Sequence, residues 1–343
     1  MPSQASPSGA PRAAPDPLPG WLAGESPALV AFLRELQRVG ASDVSVLIEG
    51  ESGAGKNLTA RALHERSARA GGPLVEVDLS ALTPTLIEAE LFGHTAGAFT
   101  GATRERTGRF VRAHGGTLVL DGIERLAESV QAKLLRTLQE RVVEPLGSET
   151  AVPIDVRVIA TSSTPLAERV AARKFREDLY YRLAVVTLVV PPLRRRAEDI
   201  PALAAVEVQR ASEQAAVAPR TLTPAALKRL EAHAWPGNLR EFENALLRVL
   251  VLNAGAAGPI EAAEFDFLAE SVAGVPERLA REALAHGVSL ERFEIALMDE
   301  AVRETRGNVT AAAKLVGLTR RAFELRHGRA HAANGDTPVD ADK

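Results

Sequence analysis

Apolar residues in this chain form two kinds of pattern, short continuous runs of branched side chains and longer stretches with helical spacing. Buried parallel strands read as continuous apolar runs, whereas helices that cover a sheet repeat their apolar positions every three to four residues. The alternation of the two patterns predicts an α/β domain built on a parallel sheet. The continuous runs lie at 44–48, 74–79, 115–121 and 154–160, and the main helical stretches at 21–40, at 197–252 and from 290 onward.

A glycine-rich segment joins the first apolar run to a helical pattern that begins at Leu58. Glycines let successive backbone N–H groups point into one concavity, a helix N-terminus adds partial positive charge, and Lys56 reaches the outer phosphates of a nucleotide. The generic loop ends in Ser or Thr, whose hydroxyl binds Mg²⁺, whereas Asn57 offers a neutral amide. The alternative is a plain glycine turn. The predicted nucleotide-binding residues are Gly50, Glu51, Ser52, Gly53, Ala54, Gly55, Lys56 and Asn57.

Composition narrows the possible classes of protein. The 343 residues, 46% of them apolar, are enough for two or three domains with a sizeable core. The absence of cysteine excludes disulfides and cysteine metal sites. No apolar run approaches the roughly 20 residues that span a bilayer, so no membrane role is expected and the cytoplasm is the default compartment. The net charge of −3 means that nucleic-acid contact requires a local basic patch.

The segment 97–102 combines paired glycines with an aromatic residue. The glycines flank Phe99 and Thr100 and favour a sharp reversal with the aromatic at its tip. An exposed aromatic tip suits the anchoring of a partner protein. The alternative is a hairpin in which Phe99 turns inward.

The same segment reproduces, without a change, the hallmark GAFTGA loop of the AAA+ activators of the alternative sigma factor sigma-54. The chain resembles this family from about Leu22 to His327. The resemblance implies an α/β fold with an AAA+ parallel sheet, a helical lid and a small all-α helix-turn-helix domain. It also implies ATP and Mg²⁺ as cofactors, a homo-oligomeric ring, and both an upstream DNA site and the sigma-54 RNA polymerase holoenzyme as partners. The contact residues that it implies for sigma-54 are Gly97, Ala98, Phe99, Thr100, Gly101 and Ala102.

Composition and resemblance together predict the domain boundaries. The first residues are mostly Pro, Ala, Ser and Gly, which predicts a disordered tail, and no sensory domain fits ahead of the sheet domain. The Ala-, Gly- and Glu-rich stretch after the lid predicts a linker with one or two weak helices. The expected divisions are a tail at 1–20, the AAA+ sheet domain at 21–190, the lid at 191–253, the linker at 254–289, the helix-turn-helix at 290–329 and a second tail at 330–343.

The apolar run that ends in Asp121 resembles the family's Walker B motif, whose Asp holds Mg²⁺ through water. The family then has a glutamate that activates the attacking water, and here that position is Gly122. The family's sensor Asn aligns with Ser163. The Asn that holds the catalytic glutamate in check aligns with Asp78.

These departures predict a protein that binds ATP with near-normal affinity but hydrolyses it slowly. Loss of a positioned general base costs on the order of 10²–10⁴ in rate. In one alternative the Asp78 carboxylate leans into the space left at Gly122 and orients the water in place of the lost glutamate. Glu124 and Glu128 are expected at an exposed helix start, away from the γ-phosphate.

Two further segments resemble parts of the family's ATPase site. Arg176 and Arg182 match the two arginine fingers and are candidates to reach a neighbouring subunit's γ-phosphate, with local ion pairs as the alternative. In the second-sensor segment Asn238 is predicted to cap a helix and Glu241 to complete a capping box. Since the helix dipole disfavours a basic residue in the first turn, Arg240 is expected to meet a nucleotide phosphate, with a solvated arginine as the alternative.

The segment 308–323 has small residues on a first helix, a glycine turn, and a threonine-capped second helix that carries arginines. This is the pattern of a helix-turn-helix whose second helix enters a major groove, and it resembles the family's Fis-like domain. Seven basic residues against two glutamates at 303–329 give a local charge of +5; a merely solvated face is the alternative. Gly328 is expected to shorten the second helix and Glu324 to weaken phosphate contact. The predicted DNA-binding residues are Asn308, Lys314, Thr319, Arg320, Arg321 and Arg326.

The function predicted is that of an ATP-binding, DNA-binding transcription regulator which acts on sigma-54 RNA polymerase through the 97–102 loop. The rival is a modulatory or decoy subunit that binds DNA and ATP but barely hydrolyses ATP. A chaperone-like AAA+ protein is a third hypothesis, and the terminal helix-turn-helix argues against it. ATP turnover by the purified protein separates the first two.

Overall fold

The computed structural model describes residues 20–98, 103–148, 150–270, 279–280, 283–284, 286–305 and 307–334. The chain divides into two units at the boundary between Leu268 and Ala269. Four residues of the 97–102 loop, Phe99 to Ala102, lie outside the described residues. So do 1–19 and 335–343, which make up most of the two predicted tails.

A five-stranded parallel sheet forms the centre of the first unit, with strand order β2-β5-β8-β1-β9. It confirms the predicted parallel α/β sheet. The sheet registers Asp78 opposite Asp121 and Asp121 opposite Thr161, so the polar ends of three strands lie side by side. The strands are β1 (Val46–Glu49), β2 (Leu74–Asp78), β5 (Thr117–Asp121), β8 (Arg157–Ser162) and β9 (Val186–Val189).

Helices cover both faces of the sheet because side chains of a strand alternate between its two faces. Leu118 and Leu120 of β5 pack in one hydrophobic cluster with the helices that follow β2 and β5. Val119, between them, packs in a second cluster with the first two helices of the chain. The helices of this domain are α1 (Pro27–Gly40), α2 (Lys56–Glu65), α3 (Pro84–Phe92), α4 (Arg109–Arg112), α5 (Glu128–Glu140), α6 (Leu166–Ala171) and α7 (Glu177–Leu183).

The observed helix α1 is shorter than the helix predicted at 21–40. A 3-10 turn occupies Gly20–Leu22, and α1 begins at Pro27 after Ser26, whose hydroxyl accepts a hydrogen bond from the Leu29 N–H. Asp199 accepts hydrogen bonds from both the N–H and the hydroxyl of Ser26, at 2.8 and 2.7 Å. The start of α1 is therefore fastened to the segment that leads into the lid.

A short two-stranded stem carries the 97–102 loop. Its strands β3 (Gly93–His94) and β4 (Arg106–Thr107) pair antiparallel. The turn at Leu146 supports the stem, since the Leu146 N–H donates to the Gly93 carbonyl and the Thr95 N–H donates to the Leu146 carbonyl. The strands β6 (Val142–Val143) and β7 (Val152–Pro153) form a second antiparallel pair.

The lid consists of α8 (Ile200–Ala215), α9 (Pro224–Ala232) and α10 (Asn238–Leu252), packed around the buried Trp235. The predicted start of the linker at 254 is wrong. Ile260, Phe265 and Leu268 are buried in the lid core, and 262–270 forms 3-10 turns. The lid therefore continues to about Leu268, because these apolar residues complete its core.

The second unit contains α11 (Leu290–Glu304), α12 (Val309–Leu315) and α13 (Arg320–Asn334). Ala312 and Ala313 of α12 are buried against Met298 and Phe323, which confirms close crossing of helices through small residues. The prediction that Gly328 shortens the last helix is wrong. The helix continues to Asn334, so residues 330–334 are helical rather than part of a tail. An exposed glycine costs a helix only about 1 kcal/mol, which flanking helix formers offset.

Across the residues that the structure describes, no helix is long and apolar enough to cross a membrane.

Candidate functional site

A polar cavity of about 310 Å³ lies where the carboxyl ends of β1, β2, β5 and β8 meet the phosphate loop and the lid. Ligands of open α/β sheets bind at this edge, where loops leave the strands. With the exception of the two arginine-finger candidates, the structure brings together here most of the residues that the sequence assigned to nucleotide binding and catalysis. They include Ser52, Gly53, Gly55, Lys56, Asn57, Asp78, Asp121, Ser163 and Arg240, together with Glu124.

The phosphate loop presents backbone N–H groups that have no acceptor. Gly53 (φ +75°) and Gly55 (φ +103°) adopt left-handed conformations that open the loop, and α2 begins at the next residue. In the described part of the chain, the N–H groups of Gly53, Gly55, Lys56 and Asn57 donate to no other group. Unpaired N–H groups at a helix N-terminus form a binding site for phosphate. This arrangement therefore fits a nucleotide phosphate.

Lys56 holds its ammonium group inside the same cavity. Its Nζ donates to the carbonyl oxygens of Gly50 and Glu51, at 2.8 and 3.0 Å, and to the Ser163 hydroxyl at 3.1 Å. Burial lowers the pKa of Lys56, and the nearby Asp121 carboxylate opposes this. A buried ammonium that contacts only neutral acceptors gains a strong partner when a phosphate enters.

Asp121 is the carboxylate that fits Mg²⁺. The Asn57 amide donates to one of its oxygens at 2.7 Å, and the Thr161 hydroxyl donates to the other. Nucleotide-bound Mg²⁺ typically uses one or two carboxylates plus phosphate oxygens and water, so a single Asp suffices. Groups of three or more potential metal ligands do not occur within the described ranges. The Asn57 amide therefore positions Asp121.

The expectation that Glu124 lies exposed at a helix start is wrong. Glu124 is only 7% exposed, follows Gly122 in a 3-10 turn, and lines the cavity. Its Oε1 accepts a hydrogen bond from the Ser163 N–H at 3.2 Å, and its Oε2 is buried without a partner among the described residues. The left-handed conformation of Gly122 (φ +81°) redirects the chain so that the next turn faces the cavity. Glu128, in contrast, is exposed at the start of α5 as predicted.

Asp78 lies at the cavity edge, and its Oδ1 is held by a local turn. One oxygen accepts hydrogen bonds from the Ser80 N–H and hydroxyl, at 2.8 and 2.5 Å. These bonds, with the Ser80 hydroxyl as the largest cause, lower the pKa of the Asp78 carboxyl. Asp78 is thus a weaker base than an ordinary aspartate.

Contacts from the lid fix the other side of the loop. The Glu51 carboxylate binds the Arg194 guanidinium through two hydrogen bonds of 2.5 and 2.6 Å, and these lower the Glu51 pKa to about 2. Asn238 is buried with φ +52° and donates to Glu51 and to the Ser52 carbonyl. The carboxylate of Glu51 therefore faces the lid, and only the backbone at this position is available to a phosphate.

The predicted capping by Asn238 is wrong, since its side chain spans the loop and the lid rather than the first turn of α10. Its Oδ1 instead accepts from the Leu193 N–H at 2.9 Å. Glu241 still closes the helix start by accepting from the Gly237 N–H at 2.8 Å. Arg240 faces the cavity, with its Nη1 at 3.4 Å from the Ser52 hydroxyl, where the second-sensor resemblance places a phosphate contact.

The two candidate arginine fingers lie outside this cavity. Arg176 pairs with the Asp178 carboxylate at 2.8 Å, and Arg182 donates to the Leu138 carbonyl at 2.8 Å. In the single chain Arg176 therefore forms a local ion pair, the alternative to its role as an arginine finger. Both side chains are exposed or nearly so, and either one is accessible to another subunit.

The loop expected to contact sigma-54 is described only at its start. Gly97 has φ +82° with open space around it, and the Ala98 N–H donates to the Thr95 carbonyl. The remaining positions, Phe99, Thr100, Gly101 and Ala102, lie outside the described residues.

In the second unit, caps define the helix-turn-helix. Asn308 accepts from the Ala311 N–H at the start of α12, and Thr319 accepts from the Ala322 N–H before α13. Arg320 pairs with Glu324 at 2.7 Å, and Arg326 pairs with Glu294 at 2.9 Å. Asn308 and Thr319 therefore act first as caps. The described contacts give Lys314 and Arg321 no carboxylate partner.

Three family models match successive parts of the chain. They are the sigma-54 interaction domain at residues 22–189, the AAA+ ATPase lid domain at 194–272 and the Fis family of bacterial regulatory proteins at 289–326. The transcriptional regulatory protein ZraR of Klebsiella oxytoca is 46% identical over 302 residues, which cover 88% of this chain and 67% of ZraR. The chain belongs to the sigma-54-dependent transcriptional activators. The C4-dicarboxylate transport regulator DctD of Pseudomonas aeruginosa is 39% identical, over 94% of this chain and 68% of DctD.

Solved structures of a similar protein have the same architecture. NtrX from Brucella abortus matches with a TM-score of 0.67 and 34% identity, over 90% of this chain and 69% of that one. The same protein has been solved with ADP and with ATP, the latter matching at a TM-score of 0.64. The activator family binds sigma-54 polymerase and, through the Fis-type helix-turn-helix, DNA. The chain spans about two thirds of the length of these relatives.

The loop–lid contacts and Glu124 were missed by sequence reasoning. Glu51 and Arg194 are 143 positions apart, so no local pattern could pair them. Glu124 had one signal, its position directly after the strand that ends at Asp121 on the nucleotide edge. That signal was outweighed by the common occurrence of acidic residues at helix starts.

Replacing Lys56 by Met should weaken ATP binding while the fold is kept. A charge-assisted hydrogen bond contributes about 1.5–3 kcal/mol, so the dissociation constant should rise roughly 10- to 100-fold. The measurement is equilibrium titration with a fluorescent ATP analogue. The matched control is Lys174→Met, at an exposed lysine outside the cavity, which should bind ATP as the wild type does. Equal affinity of the two variants would contradict the assignment of the phosphate site.

Proposed function

We propose that this activator binds Mg²⁺-ATP at the phosphate loop and uses the bound nucleotide to present the 97–102 loop to the sigma-54 holoenzyme. The observation that supports this most directly is the path of the chain between the two sites. β2 ends at Asp78 in the cavity, α3 follows, and the end of α3 leads without a break into the β3–β4 stem. A change at the nucleotide edge is thus connected to the loop by one helix and one short stem.

Within the proposed site, three kinds of group bind the nucleotide. The unpaired N–H groups of the loop and Lys56 bind phosphate oxygens, and Asp121 holds Mg²⁺ through water. Arg240 approaches from the lid, which makes lid position sensitive to the phosphate. When bound, Mg²⁺ neutralises phosphate charge and orients the terminal phosphate.

The proposal includes a homo-oligomeric ring. The neighbouring subunit would provide Arg176 and Arg182, which lie outside the chain's own cavity. An arginine that enters from another subunit stabilises the charge of a transferring phosphoryl group. In this account the Arg176–Asp178 pair opens when subunits assemble, since a surface pair contributes only about 0–1 kcal/mol.

A second candidate function is a modulatory subunit that binds ATP and DNA but does not drive remodelling. Gly122 favours it, because the family's catalytic glutamate is absent at that position. Mixed rings would then be less active than rings of a complete activator. Loss of polymerase activation as this chain is titrated into a competent activator would support this alternative.

Replacing Thr100 by Ala should abolish nucleotide-dependent association with sigma-54 and leave ATP affinity unchanged. The residue belongs to the loop that the family uses for this contact, whereas the ATP groups lie elsewhere in the chain. The measurement is co-migration with sigma-54 in the presence of a γ-phosphate transition-state mimic. Thr103→Ala, just outside the motif, is the matched control and should associate normally. If the wild-type protein fails to associate under these conditions, the loop has no such role.

Replacing Arg321 by Ala should weaken DNA binding and reduce the slope of log K against log salt by about one, since each phosphate contact contributes about that much. Glu324→Ala should have the opposite effect, because it releases Arg320 from its ion pair. Binding of the intact chain to enriched DNA would be measured over a range of salt and protein concentrations. Lys228→Ala, an equal change of charge in the lid, is the control. Equal effects of Arg321→Ala and Lys228→Ala would argue against α13 as the DNA-reading helix.

A further inference from the structure

Four carboxylates line the cavity that contains Lys56: Asp78, Asp121, Glu124 and Glu243. Glu243 belongs to the lid helix α10 and accepts a hydrogen bond from Arg210 at 3.3 Å, so three carboxylates remain at the ends of the strands. A group that activates water for attack on a phosphate must have a free oxygen facing the cavity, because that oxygen takes the proton. The hydrogen bonds that each carboxylate already makes therefore decide between the three. Gly122, the position of the family's catalytic glutamate, has no side chain to contribute.

Asp121 and Asp78 are both committed to other groups. Each oxygen of Asp121 accepts a hydrogen bond, one from Asn57 and one from Thr161, which suits a carboxylate that positions Mg²⁺. Asp78 is held by Ser80 in a tight local turn and is an exposed residue. Only Oδ1 of Asp78 takes part in these bonds, and the carboxylates whose charges raise the pKa of Lys56 are those of Asp121 and Glu124.

Glu124 differs from both because its free carboxylate oxygen is buried. Its Oε1 is fixed by the Ser163 N–H, whereas its Oε2 is buried and has no partner in the part of the chain that the structure describes. A buried, unpaired carboxylate oxygen is costly, and native structures retain such a group where it serves a ligand, a water or a reaction.

The contacts of Ser163 place this carboxylate at the phosphate end of the cavity. The Ser163 hydroxyl accepts from Lys56 Nζ at 3.1 Å, and its N–H donates to Glu124 at 3.2 Å. The lysine of a phosphate loop binds the outer phosphates of the nucleotide. Because Ser163 links Lys56 to Glu124, the Glu124 carboxylate is expected near the γ-phosphate. The charge of Glu124 also acts on the Lys56 ammonium, which agrees with short separation.

The backbone conformation at Gly122 explains why the carboxylate is at position 124 and not at position 122. Gly122 has φ +81°, and its N–H donates to the Thr161 carbonyl at 3.2 Å. A glutamate would be strained in this left-handed conformation, although a Cβ there would meet Ser80 only at an ordinary contact distance of 3.7 Å. The same turn buries Ile123 in the core and directs Glu124 to the cavity.

We propose that Glu124 is the catalytic carboxylate for ATP hydrolysis in this chain and replaces the glutamate that is absent at Gly122. The proposal rests on the proposed function, since it requires ATP at the phosphate loop. Glu124 accepts a proton from a water molecule while the water oxygen forms a bond to the γ-phosphorus. The bond between the γ-phosphorus and the β,γ-bridging oxygen breaks, its electron pair leaves with ADP, and the proton then passes from Glu124 to the released phosphate or to solvent.

The test compares Glu124→Gln with Asp78→Asn, which removes the rival carboxylate, and with the control Glu128→Gln at an exposed residue outside the cavity, each in the intact chain. Glutamine keeps the volume of the side chain and an oxygen for the Ser163 N–H, so the variant is expected to fold. Phosphate release at steady state and equilibrium binding of a fluorescent ATP analogue are measured at matched oligomer concentration. Glu124→Gln should lower kcat by about 10²–10⁴-fold with ATP affinity within about threefold of wild type, and Glu128→Gln should keep kcat within about threefold. Asp78→Asn should lower kcat much less than Glu124→Gln does.

Three results would overturn the proposal. They are retention of turnover by Glu124→Gln, a selective loss of turnover in Asp78→Asn, and wild-type turnover no higher than that of Glu124→Gln although ATP binds. Failure of the wild-type protein to bind ATP would instead contradict the proposed function, and the binding measurement separates this result from the others.

Discussion

The phosphate loop is held between the sheet and the lid, and the rest of the site depends on this contact. The Leu239 N–H donates to the Gly53 carbonyl at 3.0 Å, and the Asn238 amide donates to the Ser52 carbonyl at 3.1 Å. A Cβ at Gly53 would lie 2.2 Å from the Gly237 carbonyl oxygen, so the two backbones approach as closely as glycine permits. A change in the loop on binding phosphate must therefore be transmitted to the lid.

The three carboxylates at the strand ends differ in the hydrogen bonds that they accept. Asp121 accepts hydrogen bonds on both oxygens, and the exposed Asp78 accepts them on one oxygen from its own turn. Glu124 keeps one free oxygen, which is buried. The absence of a side chain at Gly122 therefore does not by itself imply an inactive ATPase. What decides the chemistry is where the backbone places a carboxylate, and the left-handed turn at Gly122 places Glu124 beside Ser163 and Lys56.

Local signals were enough to predict the sheet, the phosphate loop and the helix-turn-helix, because apolar runs, glycine spacing and capping residues act over a few positions. Features that depend on distant contacts were not predictable in this way. The Ala- and Gly-rich composition after 253 concealed the burial of Phe265 in the lid core. Asparagine is often found as a helix N-cap, which is why Asn238 was predicted to cap α10. Its φ of +52° and its contacts with the loop are instead set by tertiary structure. Glu124 was misplaced for the same reason, since its burial follows from a turn and not from its neighbours in sequence.

Nucleotide on the phosphate loop and the position of the lid should be coupled. Hydrogen–deuterium exchange of peptides that cover 50–57 and 236–243, with and without Mg²⁺-ATP, measures this coupling. We expect ATP to slow exchange in both peptides of the wild-type protein. In Glu51→Gln, which weakens the bond to Arg194, the loop should remain protected and the protection of 236–243 should decrease. Protection of 50–57 alone in the wild-type protein would contradict the account.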